Sequence, residues 1–527
     1  MQSPFIEPYV ALRDSRAQTR AGVASVTGRW ESRAFALVGV MTLFRFAGIA
    51  CTELTDTEGY YVSWSRFLDW SYYDHPPMVA WMTWLTTRVS DSAVAARVGP
   101  VLCAALAEVL LFHLASRFFS ARAAFFAVAL HVAIPAYFFT ALLANPEATL
   151  APSWLLALLL LDDLRRHDEP FRPLALGASI GLAFLSKYTA VLLVPVTLLV
   201  VITTPSARAW LKRPSFYAGG LLALVIATPV IVWNASRGWP SLQLHLAERV
   251  APPTLGNMVE HGSAAAVGQF VLYHPLVFPL LMIAIVLMVM RARRDERYRF
   301  LACASLPVLA FFAFTMSRVR DAEPHWTMVG FLPVLIAAGA MLEEQLARTP
   351  RAIATYGVVG AVGTVILTAC TFIHALTPTF EEHLPVALYD GQDDAVHETL
   401  GWDELRAAIT HETQALGPSA VVATAHNVFC GHLLVELDDR PAVYCPSPRR
   451  TQLDFEGRGQ PPADVPVLFV QAERDPERYD DAMPGRDCTL VHRIEIERGG
   501  REAARYDLLA CTPEMAVDGP IYASAER

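Results

Sequence analysis

The chain carries little charge for its length. Only 18% of its 527 residues are Asp, Glu, Lys or Arg, whereas 54% are hydrophobic and the mean hydropathy is +0.35. This composition excludes an ordinary soluble protein and predicts a polytopic membrane protein. The formal net charge is -9 and no basic stripe is present, so we do not expect nucleic acid as a partner.

The first 33 residues lack the features of a removable signal peptide. They are polar and contain several Arg, but they have no apolar core ahead of a small-residue cleavage site. We therefore expect residues 1–33 to form a cytoplasmic N-terminal segment, followed by an apolar run that acts as an uncleaved membrane anchor.

Long apolar runs dominate residues 34–375. Runs near 20 residues, together with shorter ones flanked by Pro or Gly, predict about eleven membrane-spanning helices and hence a mainly α helix bundle. They lie near 34–52, 95–116, 123–142, 148–162, 174–186, 190–204, 216–233, 275–290, 299–316, 326–342 and 352–374.

The distribution of Arg among the connecting segments predicts the orientation of these helices. Arg-rich segments are expected on the cytoplasmic side of the membrane; here they are 1–33, 117–122, 164–172, 208–213, 291–299 and 348–351. The loop after the first run, the later connections that alternate with these segments, and the tail after residue 375 are then expected outside. This pattern predicts a multi-pass protein of the inner (plasma) membrane with an extracytoplasmic C-terminal domain.

The tail at 376–527 has a different character. Strand-like runs such as AVVATA, VPVLFV and CTLVHRIEIE alternate with the helix-like run GWDELRAAITHETQAL, which predicts a small α/β domain. Four cysteines lie in it. In an oxidising compartment the pairs Cys430–Cys445 and Cys488–Cys511 are plausible, but four cysteines allow three connectivities, and free buried thiols are the alternative.

Residues 53–94, the first connection expected outside, combine carboxylates with aromatic side chains. In the stretch ELTDTEGYYVSWSRFLDWSYYDHPPMVAW (53–81), acids alternate with Tyr and Trp at spacings typical of short amphipathic helices in the membrane interface. We therefore expect this loop to lie on the membrane with its acids near the lipid head groups. Simple solvation of a connecting loop is the alternative.

The run EGYYVSWSRFLDWSYYDHPPMVAW (58–81) resembles the signature of bacterial membrane glycosyltransferases of the GT-C superfamily, in the group of protein O-mannosyltransferases and lipid A aminoarabinose transferases. Further matches follow in the same order: ANPEA (144–148), GLAFLSKYT (181–189), GWPSLQLHLAER (238–249) and EPHWTMVGFLPVL (323–335). The resemblance covers about residues 34–375. It implies a GT-C-like helix bundle at 34–375, with 53–94 as its catalytic first outward loop.

The resemblance also implies a reaction. A sugar carried on a polyprenyl phosphate passes to an acceptor at the outer face, with inversion at the anomeric carbon, and the partners are this donor, membrane lipids and an acceptor. The sequence does not identify the sugar, and the acceptor is a lipid, a glycan or a protein. A multi-span transporter or flippase of a lipid-linked sugar is the alternative, although internal repeats are not evident.

Binding of the donor phosphate is expected at basic residues of the matched motifs. The resemblance points to Lys187, with His75, Arg249 and His325 as further candidates. An ammonium at the end of an apolar helix is costly unless it meets an anion or reaches the head groups, so snorkelling of Lys187 is the alternative. Glu147 is expected either to orient the acceptor or to cap the following helix.

The resemblance raises the question of a divalent metal ion (zinc, manganese or magnesium). Asp74 and His245 match positions that look like metal ligands in the aminoarabinose transferases, and such a pair suits these ions chemically. The alternative for Asp74 is to cap a helix before Pro76.

The choice of catalytic base is open because the sequence departs from the family pattern. The family has an adjacent Asp-Glu pair at this point, and Thr57 stands where the Asp would be. Asp56 and Glu58 remain as candidates, and we favour Asp56, which we expect just before the first turn of the loop helix; capping of that helix is its alternative role. Tyr60 and Tyr61 are expected to support the loop or to contact the acceptor.

Overall fold

The computed structural model describes residues 7–250, 254–319, 322–385, 394, 396–475 and 477–513, with side chains from residue 28 onward. Contacts divide the chain into two units. The helical unit contains the first helix up to Ala50 together with Asp74–Cys370, and the tail unit contains Cys51–Tyr73 together with the chain from Thr371 onward. The structure thus divides the predicted catalytic loop 53–94, since residues up to Tyr73 group with the tail.

The described residues form mainly helices. In chain order they are α1 (Glu7–Ile49), α2 (Asp56–Trp64), α3 (Met78–Thr87), α4 (Ala93–Phe118), α5 (Ala121–Ala133), α6 (Pro135–Thr140), α7 (Pro146–Arg166), α8 (Arg172–Ser186), α9 (Leu193–Thr203), α10 (Pro214–Ser236), α11 (Pro240–Gln243), α12 (Leu255–Leu272), α13 (Val277–Ala292), α14 (Glu296–Met316), α15 (Met328–Arg348), α16 (Pro350–Leu376), α17 (Thr379–His383), α18 (Trp402–Leu416), α19 (Asn427–Glu436), α20 (Gln452–Phe455) and α21 (Tyr479–Ala482). Short 3-10 turns cover Tyr188–Leu192, Arg208–Lys212, Pro324–Thr327 and His397–Thr399, and a π turn covers Leu244–Glu248.

The apolar runs predicted from the sequence are all helical, but fewer of them qualify as complete spans. Within the described chain, six helices are long and apolar enough to cross a membrane, or seven if the bent pair α12 and α13 is one span. The predicted number of about eleven is therefore too high by this measure. Three of the remaining runs are shorter helices, namely Ala121–Ala133, Arg172–Ser186 and Tyr188–Thr203. The run 148–162 lies in α7, which has 21 residues but ends in the charged stretch DDLRR.

The helical unit is held together by one large apolar core. Its fully buried residues include Trp154 and Leu158 of α7 and Leu332 and Leu335 of α15. Helices α8 and α10 approach so closely that a Cβ on Gly177 would collide with the main chain at Gly219. This packing fixes the ends of α7 and α8, where the candidate site residues lie.

The tail unit contains a five-stranded mixed sheet. Its strands are β1 (Val421–Ala423), β2 (Val443–Tyr444), β3 (Val467–Ala472), β4 (Cys488–Arg498) and β5 (Arg501–Cys511). The order is β2-β1-β3-β5-β4; β1 runs parallel to β2 and β3, and β5 runs antiparallel to β3 and β4. The predicted α/β fold of the tail is confirmed.

Both cysteine pairs favoured from the sequence are disulfides in the structure, Cys430–Cys445 and Cys488–Cys511. The first joins α19 to the end of β2, and the second joins the edge strand β4 to its neighbour β5. The alternative of free thiols in the tail is therefore wrong.

Candidate active site

Three segments of the helical unit bring a lysine, a glutamate and a histidine together. Lys187 directly follows α8, Glu147 lies in the first turn of α7, and His325 lies in the 3-10 turn before α15. The Lys187 ammonium forms an ion pair with Oε1 of Glu147, and Nε2 of His325 lies 3.1 Å from the same oxygen. Nδ1 of His325 lies 3.3 Å from a carboxylate oxygen of Glu323. Basic and acidic side chains therefore alternate along the cluster, in the order Lys187, Glu147, His325 and Glu323.

Local sequence explains why Glu147 points into this cluster. Asn145 caps α7, because its side chain accepts a hydrogen bond of 2.9 Å from the Ala148 N–H, and Pro146 occupies the first helical position. Since Asn145 is the cap, the alternative role of Glu147 as helix cap is wrong. Its carboxylate is left to bind the two basic side chains.

Lys187 is buried rather than snorkelling. Only 8% of the residue is exposed, and its side chain meets an anion inside the unit. A buried ion pair of this kind gives up much of its Coulomb attraction to desolvation, so it is weak evidence for a purely stabilising role. The sequence alternative of snorkelling is therefore wrong.

The other basic candidates of the matched motifs lie around this ion pair. The imidazole rings of His75 and His245 are stacked, with centroids 6.1 Å apart, and the Arg249 guanidinium lies 5.9 Å from the Trp326 ring. Burial, and next the positive charge of Lys187, lower the pKa of His75 well below its ordinary value. Burial likewise lowers the pKa of His245. Both rings are therefore neutral hydrogen-bonding groups near neutral pH.

A small cavity adjoins the ion pair. Glu147, Lys187, His325 and Trp326 line it, together with Tyr137 and apolar side chains of α7 and α15. Its volume of about 20 Å³ is roughly that of one water site. A phosphate is larger, so its binding here requires these side chains to move apart.

The structure does not assemble a metal site at Asp74 and His245. Nε2 of His245 lies 2.8 Å from the main-chain oxygen of Asp74, and no group of three or more His, Cys, Asp or Glu suited to a metal occurs among the described residues. Two donors do not complete a zinc site by themselves, so metal binding at Asp74 and His245 stays a prediction. The capping alternative for Asp74 is wrong, since Pro77 precedes α3 as its cap residue.

The two candidate bases lie in the tail unit, at the start of α2. Thr55 is the cap residue, and its side chain and main chain form a reciprocal capping box with Glu58. Asp56 is the first helical residue and is 4% exposed, so the expectation that it precedes the helix or caps it is wrong. Thr57, at the position of the family acid, is exposed.

The Asp56 carboxylate is fully engaged by residues of the tail. Oδ1 lies 2.8 Å from Nδ1 of His432, and Oδ2 accepts a hydrogen bond of 2.6 Å from Arg474. The Asp56 main-chain N–H donates to the Glu398 carboxylate at 3.0 Å. Sequence reasoning missed these three partners; the only signal was the run TAHNVFCGHLLVELDD, which holds His432.

The aromatic side chains of the loop form part of the core of the tail unit. Trp64 stacks on Tyr72 with ring centroids 4.5 Å apart, and Tyr60 and Tyr61 pack against the edge of Trp64. Tyr60, Trp64, Tyr72 and Tyr73 are buried. The expectation that the loop's aromatic residues face the membrane is therefore wrong for these four, which pack inside the protein, whereas Trp70 is exposed.

Comparisons with known proteins agree with the motifs. Residues 74–233 match the family model described as dolichyl-phosphate-mannose-protein mannosyltransferase. The chain is 26% identical over 290 residues to the lipid A galacturonosyltransferase RgtD of Rhizobium johnstonii, a match that spans 54% of this chain and 60% of that protein.

The fold is also similar to that of a solved enzyme. ArnT from Cupriavidus metallidurans superposes with a TM-score of 0.59 in its apo state and 0.60 bound to undecaprenyl phosphate, at 18% identity. The second comparison covers 94% of this chain and 99% of ArnT. The predicted resemblance to GT-C membrane glycosyltransferases is confirmed; the comparisons support a membrane glycosyltransferase, and none supports a transporter.

Proposed function

We propose that this chain transfers a sugar from a polyprenyl-phosphate donor to an acceptor at the outer face of the plasma membrane, with inversion at the anomeric carbon. The observation that carries this proposal is the buried Lys187 ammonium, which lies among His75, Arg249 and His325 next to a cavity. Such a group of cationic and hydrogen-bonding side chains suits the phosphate of a lipid carrier.

The proposed phosphate site works by an exchange of partners. In the structure Glu147 neutralises Lys187 and also binds His325. When the donor phosphate enters, Lys187 turns to the phosphate while His325 keeps Glu147 in place. The lysine then stabilises the charge that develops on the phosphate as the bond from the anomeric carbon to the phosphate oxygen breaks. Glu147 thereby acts as a support for the site.

The new glycosidic bond forms between the acceptor and the anomeric carbon of the sugar. The acceptor's hydroxyl oxygen attacks the anomeric carbon, the polyprenyl phosphate leaves with the electron pair of the broken bond, and a carboxylate accepts the hydroxyl proton. We assign this role to Asp56, because the Glu58 carboxylate is used in the cap of its own helix. Tyr60 and Tyr61 support the loop through their packing on Trp64. No step is routed through a metal ion.

The named relatives suggest the classes of donor and acceptor. One solved relative binds undecaprenyl phosphate, which supports a long polyprenyl phosphate as the carrier. The relative with the longer sequence match acts on lipid A, whereas the mannosyltransferase model covers only residues 74–233. We therefore propose a glycolipid of the lipid A type as the first acceptor to test, ahead of a protein.

The proposal is tested in a deletion strain of the source organism. Mass spectrometry of membrane lipids is expected to show one polyprenyl-phosphate-linked sugar accumulating, and outer glycolipids are expected to lack that sugar. The intact gene is expected to reverse both changes, and a Lys187→Ala gene is not. Unchanged lipid-linked sugars in the deletion strain would contradict the proposal.

A further inference from the structure

We propose that the α/β tail orients Asp56 for proton transfer, with His432 and Arg474 as positioning residues. This inference rests on the proposed function, in which Asp56 is the base. It assigns the tail a direct part in the reaction, although all of the family motifs lie upstream of residue 375.

The contacts at Asp56 fix both of its carboxylate oxygens. His432 is held in turn, because its ring packs on Trp402 with centroids 3.9 Å apart and its Nε2 lies 3.7 Å from the Glu436 carboxylate. The Arg474 guanidinium lies over the rings of Phe429 and Tyr506. Two donors that are themselves anchored leave the carboxylate little freedom to rotate.

The topology of the sheet places these residues where α/β domains bind ligands. The order β2-β1-β3 makes the chain reverse its direction of winding at β1, and the crevice lies at the carboxyl ends of β1 and β3. Arg474 and Asp475 follow β3, His426 follows β1, and His432 lies on the helix between β1 and β2. In the structure the carboxylate of Asp56 reaches these residues and takes the place of an anionic ligand.

Two glycines allow the loop helix to approach this crevice. A Cβ on Gly59 would lie 2.5 Å from Cγ of His432, and a Cβ on Gly431 would lie 2.6 Å from Cα of Tyr60. A Cβ atom does not approach a non-bonded carbon this closely, so α2 and α19 can pack in this way only with glycine at both positions. The small residue that precedes Tyr60 in the loop motif thus has a specific packing role.

Positioning predicts a particular pattern of losses. Removing either donor frees the carboxylate to rotate away from the acceptor hydroxyl, and a misplacement of about 1 Å can cost on the order of 100-fold in rate. Donor binding does not depend on Asp56 in this scheme. The rate of transfer should therefore fall while the affinity for the lipid phosphate is kept.

The test uses the full-length chain with variants at the two donors. Each variant is induced in the deletion strain, and the initial rate at which the accumulated lipid-linked sugar is cleared is measured per molecule of protein. Arg474→Met and His432→Ala are expected to lower this rate by roughly 10- to 100-fold. Arg474→Lys and His432→Asn, which keep a donor, are expected to recover most of it. Purified Arg474→Met and His432→Ala are expected to bind undecaprenyl phosphate as the wild type does.

A matched control separates positioning from damage to the tail. Arg486 is another arginine of the tail, and it is buried, but it donates to the main-chain oxygens of Pro462 and Val465. Arg486→Met is expected to retain the wild-type rate per folded molecule. If Arg486→Met loses as much as Arg474→Met, or if the donor-keeping variants do not recover activity, the positioning role is overturned.

Failure of the inference and failure of the proposed function give different results. If Asp56→Asn is inactive while Arg474→Met and His432→Ala clear the sugar at the wild-type rate, the positioning role is wrong and Asp56 remains the base. If Asp56→Asn is fully active, the assignment of the base is wrong, and the positioning role is overturned with it.

Discussion

At the scale of single residues, Lys187 stands apart because the chain almost avoids lysine. Its only other lysine is Lys212, which is exposed in the 3-10 turn after α9. At an exposed position lysine and arginine are both suitable, because the charged group is hydrated by solvent. A buried lysine ammonium differs from arginine, because it is a compact point charge that can change partners. The rarity of lysine makes these two positions a natural pair of test and control.

We predict that Lys187→Ala weakens the binding of undecaprenyl phosphate by roughly 10- to 100-fold, the size of a lost charge-assisted hydrogen bond. Lys187→Arg should lose less, since the charge is kept, and Lys212→Ala should bind as the wild type does. Affinity is measured by titrating each purified full-length protein. Equal affinity of Lys187→Ala and wild type would remove Lys187 from the phosphate site.

A second residue-scale prediction concerns pH. Burial, and next the nearby Asp56 charge, raise the pKa of Glu398 to about 7. The folded tail then holds a proton that the unfolded chain, with an ordinary carboxyl pKa, has released, so stability falls as pH rises from about 4.5 to 7 and levels off above that range. Glu398→Gln cannot release a proton and removes this contribution to the fall.

The measurement is the thermal midpoint of the tail unit as a function of pH. The thermal midpoint of Glu398→Gln minus that of the wild type should be larger at pH 8 than at pH 5. The reason is that only at the higher pH does folding of the wild type bury a charged carboxylate. A difference between variant and wild type that does not change with pH would show that Glu398 does not hold this proton.

How far the sequence predicts individual residues depends on how far apart the partners lie in the chain. The neighbourhood of Lys187, His75 and Arg249 followed from motifs, because each motif carries its own basic residue. The partners of Asp56 did not follow, since His432 and Arg474 lie 376 and 418 positions away and no local pattern marks them.

At the scale of elements, the contact between α2 and α19 makes Gly59 indispensable. Gly59→Ala places a methyl group against the ring of His432, so we predict a loss of roughly 1–3 kcal/mol of tail stability, as for overpacking. Thr57→Ala is the matched control: Thr57 is exposed on the same helix, and alanine there favours the helix. The measurement is the thermal unfolding midpoint of both variants, which should be lower for Gly59→Ala than for Thr57→Ala. Equal midpoints would contradict the close packing.

The helices themselves were predictable to different degrees. Apolar length located every run in a helix, yet it overestimated the number of complete spans, because the chain breaks at points such as Lys187 where a 3-10 turn begins. In the tail, strand-like runs predicted β1, β3 and β4, whereas β2 has only two residues and carries no such pattern. The aromatic loop was misplaced because burial in a protein core and in a membrane interface require the same residue types.

At the scale of the whole molecule, the orientation in the membrane decides where the reaction takes place. The distribution of Arg predicts that the tail is outside the cytoplasm. Fused after residue 375, alkaline phosphatase, which folds only in an oxidising compartment, should be active, and a fusion after residue 213 should be inactive. Activity of both fusions, or of the second alone, would overturn the proposed outer-face reaction.

The most direct measurement uses the chain's shortage of lysine. With Lys212→Arg, Lys187 becomes the only lysine, and its acylation by an amine-reactive reagent can be followed by mass spectrometry of the full-length protein. If the phosphate of a polyprenyl phosphate binds Lys187, undecaprenyl phosphate should slow this reaction strongly, whereas undecaprenol, which lacks the phosphate, should not. Equal acylation rates with and without undecaprenyl phosphate, or equal protection by both lipids, would contradict the proposed phosphate site.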